Sequence, residues 1–213
     1  MEFAIKYPKH TIWRCDGIFK GEEKQPLAGY DGPILVHSGS EGNIEIIRSG
    51  VRGDTVARLI KRINDFTTLL PNGAKPELLT IMVGINDALQ QDLDKYVLPE
   101  KFEENYRNLL NLLKNRLPDT AIVLLTPTYN CHGILEESCL EAYCDKMRKL
   151  SSDSRVPLID VHELWMQHLI PGSEHFRQHD WLSEISYDAC HPTPIGVEMT
   201  AKWIFEKLLE LKE

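Results

Sequence analysis

Leu78-Leu79-Thr80-Ile81-Met82-Val83-Gly84-Ile85-Asn86-Asp87 decides the fold of this chain. Its first six residues form a near-continuous apolar run that stops at Gly84. Strands buried on both faces read this way, as in a parallel sheet covered by helices. The same pattern recurs. Ala121-Ile122-Val123-Leu124-Leu125 stops at Thr126-Pro127, and Val156-Pro157-Leu158-Ile159 stops at Asp160. Ile44-Glu45-Ile46-Ile47 runs toward Gly50, and Thr11 to Cys15 is a further short candidate.

Helical stripes separate these runs. Val56, Leu59, Ile60, Ile63, Phe66 and Leu70 recur at helical spacing, with Asp54 or Thr55 able to cap the start. From Pro99, a suitable first helical residue, Phe102, Tyr106, Leu109, Leu110 and Leu113 form a second stripe, and Pro118 lies beyond it. A third helix is predicted over about Leu135 to Leu150. The last is predicted over about Pro194 to Leu211, with Val197, Ala201, Ile204, Leu208 and Leu211 facing inward. Strands alternating with helices predict an α/β fold: a three-layer, flavodoxin-like parallel sheet of about five strands, with helices on both faces and right-handed crossovers. Ligand sites in such folds lie beyond the carboxyl ends of the strands. The Gly-rich segment from Glu22 to Gly42 holds either a helix near Pro33-Ile34-Leu35-Val36 or mostly loop.

With 213 residues and no internal repeat or composition shift, the expectation is one domain over 1–213. Apolar residues at 42% and charged residues at 26% read as soluble and globular. A net charge of −8 with no basic stripe argues against nucleic acid, whose phosphates would be repelled. No run approaches the roughly 20 apolar residues of a membrane span. The segment Met1 to Lys9 has no apolar core of signal-peptide length, so a cytoplasmic protein is expected. The five cysteines are odd in number and lack a C-x-x-C pattern, which reads as free thiols in a reducing compartment.

Three strings carry candidate chemistry. In Asp188-Ala189-Cys190-His191, a carboxylate three residues before a His can hold one ring nitrogen and leave the other as a general base. A surface Asp and a buried His that only cap the last helix would look the same. In Gly84-Ile85-Asn86-Asp87, Asn86 can aim its amide N–H at a developing oxyanion, and Asp87 can brace the turn or cap the next segment. An ordinary strand-end turn uses the same residue types. In Gly50-Val51-Arg52-Gly53-Asp54, glycine lets a backbone N–H approach a ligand, or simply turns strand into helix.

Together the strings sit at ends of predicted strands on one rim of the sheet, and in this order they resemble the SGNH, or GDSL-type, esterase and lipase family. The likeness runs from about Thr11 to the C-terminus. It takes in the Phe102-to-Leu117 helix before Pro118-Asp119 and the strand end Leu158-Ile159-Asp160. It implies the SGNH hydrolase fold and cleavage of acyl or acetyl esters by Ser-His-Asp chemistry, with no metal and no organic cofactor. Residue by residue, Gly53 resembles the oxyanion glycine, Asn86 the oxyanion asparagine, Asp188 the triad acid and His191 the base. The expected partner is a small-molecule ester substrate or acyl ligand. Oligomeric state is left open.

The first family block departs. Gly-Asp-Ser-x-x-x-Gly corresponds to Cys15-Asp16-Gly17-Ile18-Phe19-Lys20-Gly21, so the nucleophile position is Gly17. Glycine has no side-chain oxygen and cannot form an acyl-enzyme, though its N–H can still serve as one of three oxyanion donors. The expectation is therefore an inactive or strongly impaired ester hydrolase. The alternative is a catalytically silent binding protein for an acyl, acetyl-sugar or carboxylate ligand. Other attacking groups are possible in principle: Cys15, or water activated by His191. Ser38 and Ser40 lie in a loop and do not fit the Gly-x-Ser-x-Gly elbow.

Some residues are set aside. His175 and His179 sit four apart beside Asp180, a metal-like spacing on a helix, but without an H-E-x-x-H motif they read as a polar loop. Cys131-His132 follows a predicted strand end and lines either a pocket or the core. Trp165, Met166 and Trp181 fall in a loop-rich stretch and are expected either to pack in the core or to line an apolar acyl pocket.

Overall fold

The computed structural model describes residues 34–38, 42–46, 50–51, 53–68, 76–89, 94–128, 137–168, 192 and 194–211. The Thr11–Cys15 candidate strand lies outside them. The first described elements are β1 (Ile34–Ser38) and β2 (Gly42–Ile46), which pair antiparallel with Ile34 opposite Ile46. This corrects two expectations. The Pro33–Val36 region holds a strand rather than a helix or loop, and the Ile44 run joins it in a hairpin instead of the described parallel sheet. Three residues, Gly39, Ser40 and Glu41, separate the strands. That length suits a hairpin and is far too short for a parallel crossover.

The parallel sheet consists, among the described residues, of β3 (Leu78–Met82), β4 (Ala121–Leu125) and β5 (Leu158–Ile159), in that spatial order. Leu78 lies opposite Ala121, and Leu124 opposite Leu158. Helix α1 (Val56–Thr68) precedes β3. Helix α2 (Pro99–Arg116) crosses from β3 to β4, and α3 (Glu137–Ser154) from β4 to β5. Helix α3 begins and ends a few residues later than its expected bounds.

Alternation along β4 divides the core. Ile122 and Leu124 face α1, α2 and α3, whereas Val123 and Leu125 face the opposite layer. All five stripe residues of α2, from Phe102 to Leu113, are buried. Burying a side chain of this size stabilises by about 1.5–3 kcal/mol each. Phe102 sits edge-on to Tyr106 and Tyr143, with ring centroids 5.3 and 5.0 Å away.

The opposite layer holds a helix the sequence reading had as loop, α4 (Val161–His168), and α5 (Pro194–Glu210). Trp165 is a core residue of α4. It meets Trp203 edge-to-face at 6.1 Å, and its indole N–H donates to Thr200 Oγ1 at 3.0 Å. Trp181 lies outside the described residues. In α5, Ala201, Ile204 and Leu208 are buried as expected, but Leu211 lies past the helix end and is exposed. No described helix is long and apolar enough to cross a membrane.

Candidate active site

Two residues after β3 comes Gly84, whose φ is +141°. A Cβ there would lie 3.0 and 3.1 Å from the Phe102 ring and 3.3 Å from Pro127 Cγ. Only glycine lets the chain turn so tightly beneath α2. The turn that follows closes with the Ala88 N–H donating to the Gly84 carbonyl at 3.2 Å. It lifts Asn86 and Asp87 off the strand in opposite roles.

Asn86 reaches the loop before α1. Its side-chain Nδ2 donates to the Asp54 carbonyl at 2.9 Å, across 32 residues of sequence. A side-chain amide has two N–H groups, and this bond uses one of them. Gly53, next to Asp54, has φ +71°, the left-handed region that glycine enters without strain. The Asp54 N–H closes a turn on the Val51 carbonyl at 3.1 Å. Arg58 Nη1 donates to the Gly53 carbonyl at 3.3 Å, and Arg62 Nε to the Asp54 carboxylate at 3.1 Å. The two expected oxyanion elements, Gly53 and Asn86, are therefore neighbours held by named bonds.

Asp87 is completely buried. Both of its carboxylate oxygens lie 3.2 Å from the Val56 backbone N–H. It caps the start of α1, 31 residues earlier in the chain, rather than the segment that follows it. Thr55 supplies the local cap: its Oγ1 accepts from the Arg58 N–H at 3.2 Å. Burial pushes the Asp87 carboxyl up to about 7; the Val56 N–H opposes that rise and the Asp54 charge adds to it. Tyr106, whose buried hydroxyl has no hydrogen-bond partner, is held above its usual range by burial and by the Asp87 charge.

The other expected site residues, Gly17, Asp188 and His191, lie outside the described residues, as do Cys15, Cys131, His132, His175 and His179. Among the described residues, no three His, Cys, Asp or Glu side chains gather as metal ligands.

Sequence reading missed a second polar cluster on the same rim, at the ends of β4 and β5. Thr126 Oγ1 donates to Asp160 Oδ1 at 2.9 Å, and Arg148 Nε donates to Asp160 Oδ2 at 2.6 Å. The His162 N–H donates to Thr126 Oγ1 at 2.9 Å, and its buried Nε2 lies 2.9 Å from Glu141. A polar residue after each strand, Thr126 and Asp160, was the available signal, but nothing in spacing pairs them with Arg148. A groove of about 530 Å³ lies beyond β5, lined by residues such as Leu158, Glu163 and Lys207. It is two strands away from the Gly84 turn, and among the described residues its lining includes neither Gly53 nor Asn86.

A profile of the GDSL-like lipase/acylhydrolase family matches residues 23–199. That span takes in Gly53, Asn86, Asp188 and His191 and begins after Gly17. The chain is 24% identical over 156 residues to a GDSL esterase/lipase of Arabidopsis thaliana, covering 65% of this chain and 61% of that one. It is 34% identical over 80 residues to the isoamyl acetate-hydrolyzing esterase 1 homolog of Homo sapiens, covering 36% and 32%. The chain thus spans less than two thirds of the length of these curated relatives. Among solved structures, an acetyl xylan esterase superposes with a TM-score of 0.61 at 20% identity, over 75% of this chain and 78% of that chain. At that identity the likeness speaks for the fold.

Proposed function

The chain belongs to the GDSL-like lipase/acylhydrolase family, and from that premise we propose that its site is built to cleave small acyl or acetyl esters and is strongly impaired at the nucleophile. In the working form of such a site, a serine oxygen at position 17 attacks the ester carbonyl. His191 takes its proton and later returns it to the leaving alcohol, while Asp188 holds the imidazole. Charge building on the carbonyl oxygen meets the N–H groups of residues 17 and 53 and the side chain of Asn86. One observation supports the reading: the Asn86–Asp54 hydrogen bond, which ties the turn at Gly53 to Asn86 across 32 residues of sequence.

With Gly17 in place, the covalent route is closed. Losing a serine nucleophile costs about 10⁶-fold, while binding and the oxyanion donors retain about 10³-fold over water. Gly17→Ser is expected to raise hydrolysis of p-nitrophenyl acetate by several orders of magnitude. Adding Asn86→Ala to it should then remove about 10²- to 10³-fold. If Gly17→Ser brings no turnover, the hydrolase reading fails.

A second reading has its own support. Cys15 replaces the family glycine two positions before Gly17, so the first block departs at two places rather than one. Under this reading the chain holds an acyl, acetyl-sugar or carboxylate ligand without cleaving it. Calorimetry with acetate separates the two: binding with no turnover even in Gly17→Ser favours the silent protein.

A further inference from the structure

The loop between β3 and α2 returns over the Gly53 turn, and it returns with a cation. A Cβ on Gly53 would lie 3.6 Å from Lys95 Nζ and 3.7 Å from its Cε. This ammonium is not at the end of a loose strand. Two residues on, the Val97 N–H donates to the Asp87 carbonyl at 3.0 Å, and the Val97 carbonyl accepts from the Tyr143 hydroxyl. Pro99 then starts α2. Lys95 is only partly exposed, and its stem packs toward the turn that carries the oxyanion glycine.

The charge setting is unusual for this chain. Net charge is −8, yet Gly53 is approached by two cations, Arg58 at its carbonyl and Lys95 on the side where a Cβ would project. The adjacent Asp54 carboxylate is taken up by Arg62. Asp94 is exposed, and Asp87 is buried against Val56. A cation beside an ester site attracts substrate charge of opposite sign and repels cationic esters. An ammonium has three N–H donors, so a protein partner for Lys95 does not use up its capacity for a ligand.

We propose that Lys95 is a specificity-determining residue that selects esters carrying a negative charge, a carboxylate within a few atoms of the scissile carbonyl. The assignment rests on the ester-site reading of Gly53 and Asn86. Neutral acetyl esters of the same size are the poorer ligands.

The test uses the unaltered chain first, so that it does not depend on a nucleophile. Calorimetry compares monomethyl succinate with methyl butyrate, which has similar length and no charge. The succinate ester should bind about tenfold more tightly, as one charge pair at a partly shielded site allows. Lys95→Met should abolish that preference, Lys95→Arg should keep it, and added salt should erode it. Equal binding of the two esters, no binding of either, or a preference that survives Lys95→Met overturns the proposal. In Gly17→Ser, p-nitrophenyl hemisuccinate and butyrate test the acyl side, while 4-acetoxybenzoate and phenyl acetate test the alcohol side. A charged-over-neutral ratio in kcat/KM that falls on Lys95→Met places the carboxylate on that side. If both ratios are flat while turnover is present, the proposal fails and the hydrolase stands. If no ester is cleaved but the calorimetric preference holds, the hydrolase fails and Lys95 keeps its role.

Discussion

Two aspartates stand at strand ends on one rim of the sheet, and burial acts on both. Asp87 follows β3, and its carboxylate accepts from backbone N–H groups, that of Val56 at the start of α1 and its own. Its carboxyl rises to about 7 because desolvation wins. Asp160 follows β5 and also meets a helix start, accepting from the Glu163 N–H at 3.0 Å. Burial raises it too, but the Arg148 guanidinium, that N–H and the Thr126 hydroxyl outweigh burial and hold it below the usual range. The difference lies in the cation. A carboxylate paired with a guanidinium is a structural staple. One kept dry against backbone N–H groups is a cost, and this one adjoins Asn86.

The sharpest way to break this comparison is the pH dependence of unfolding. Asp87 ionises near 7 in the folded chain and near 3.8 when unfolded. Its favourable contribution is complete below pH 3.8 and is lost as pH rises through 7. Asp87→Asn, which keeps an oxygen for the Val56 N–H, should flatten that slope. It should raise stability at pH 8 by up to about 4 kcal/mol, at about 1.4 kcal/mol per tenfold change in proton affinity. Denaturant unfolding at several pH values measures it, and an unchanged slope would mean Asp87 is not isolated from charge.

Next in size is Gly84→Ala. It puts a methyl against Phe102 and Pro127 at a backbone angle that L side chains avoid, so a loss of about 2–3 kcal/mol is expected. Thermal unfolding reads this directly, and a loss under about 0.5 kcal/mol would show that the turn relaxes. Asp160→Asn should cost about 1–2 kcal/mol at pH 7, since Arg148 loses a charged acceptor. Its sign with pH is opposite to that of Asp87: the Asp160 contribution is present above about 3.8, its unfolded value, and is lost as pH falls through its lowered folded one. A double-mutant cycle with Arg148→Met should assign most of the loss to that pair. The smallest effect belongs to a carboxylate in water. Lys101 and Glu104 pair at 2.8 Å with both side chains more than half exposed. Lys101→Ala should change stability by about 0.3 kcal/mol or less, and the change should vanish in high salt.

The parts that were legible in sequence share a property. The buried strands at 78–82 and 121–125 and the Phe102–Leu113 stripe are apolar patterns along a single segment, so local chemistry exposes them. Motif spacing singled out Gly53 and Asn86, and the fold brings their turns together. The hairpin at 34–46 was misread because β-branched residues mark a strand without saying whom it pairs with. Helix α4 was missed because it is short and aromatic, and its Trp165 gains a partner only from α5. Lys95 carried no signal, since a lone lysine after a turn resembles any solvated one.

Composition and order along the chain fix where its long periodic runs are strand or helix, which family it resembles, and that position 17 offers no side-chain oxygen. Those are properties of side chains and their order. Folding in three dimensions alone sets the Asn86 bond to Asp54, the capping by Asp87 of a helix 31 positions earlier, and the approach of Lys95 to Gly53. Each depends on two distant segments meeting in space. The free energy of each contact is set by burial and by neighbouring charge, and neither exists until the chain has folded.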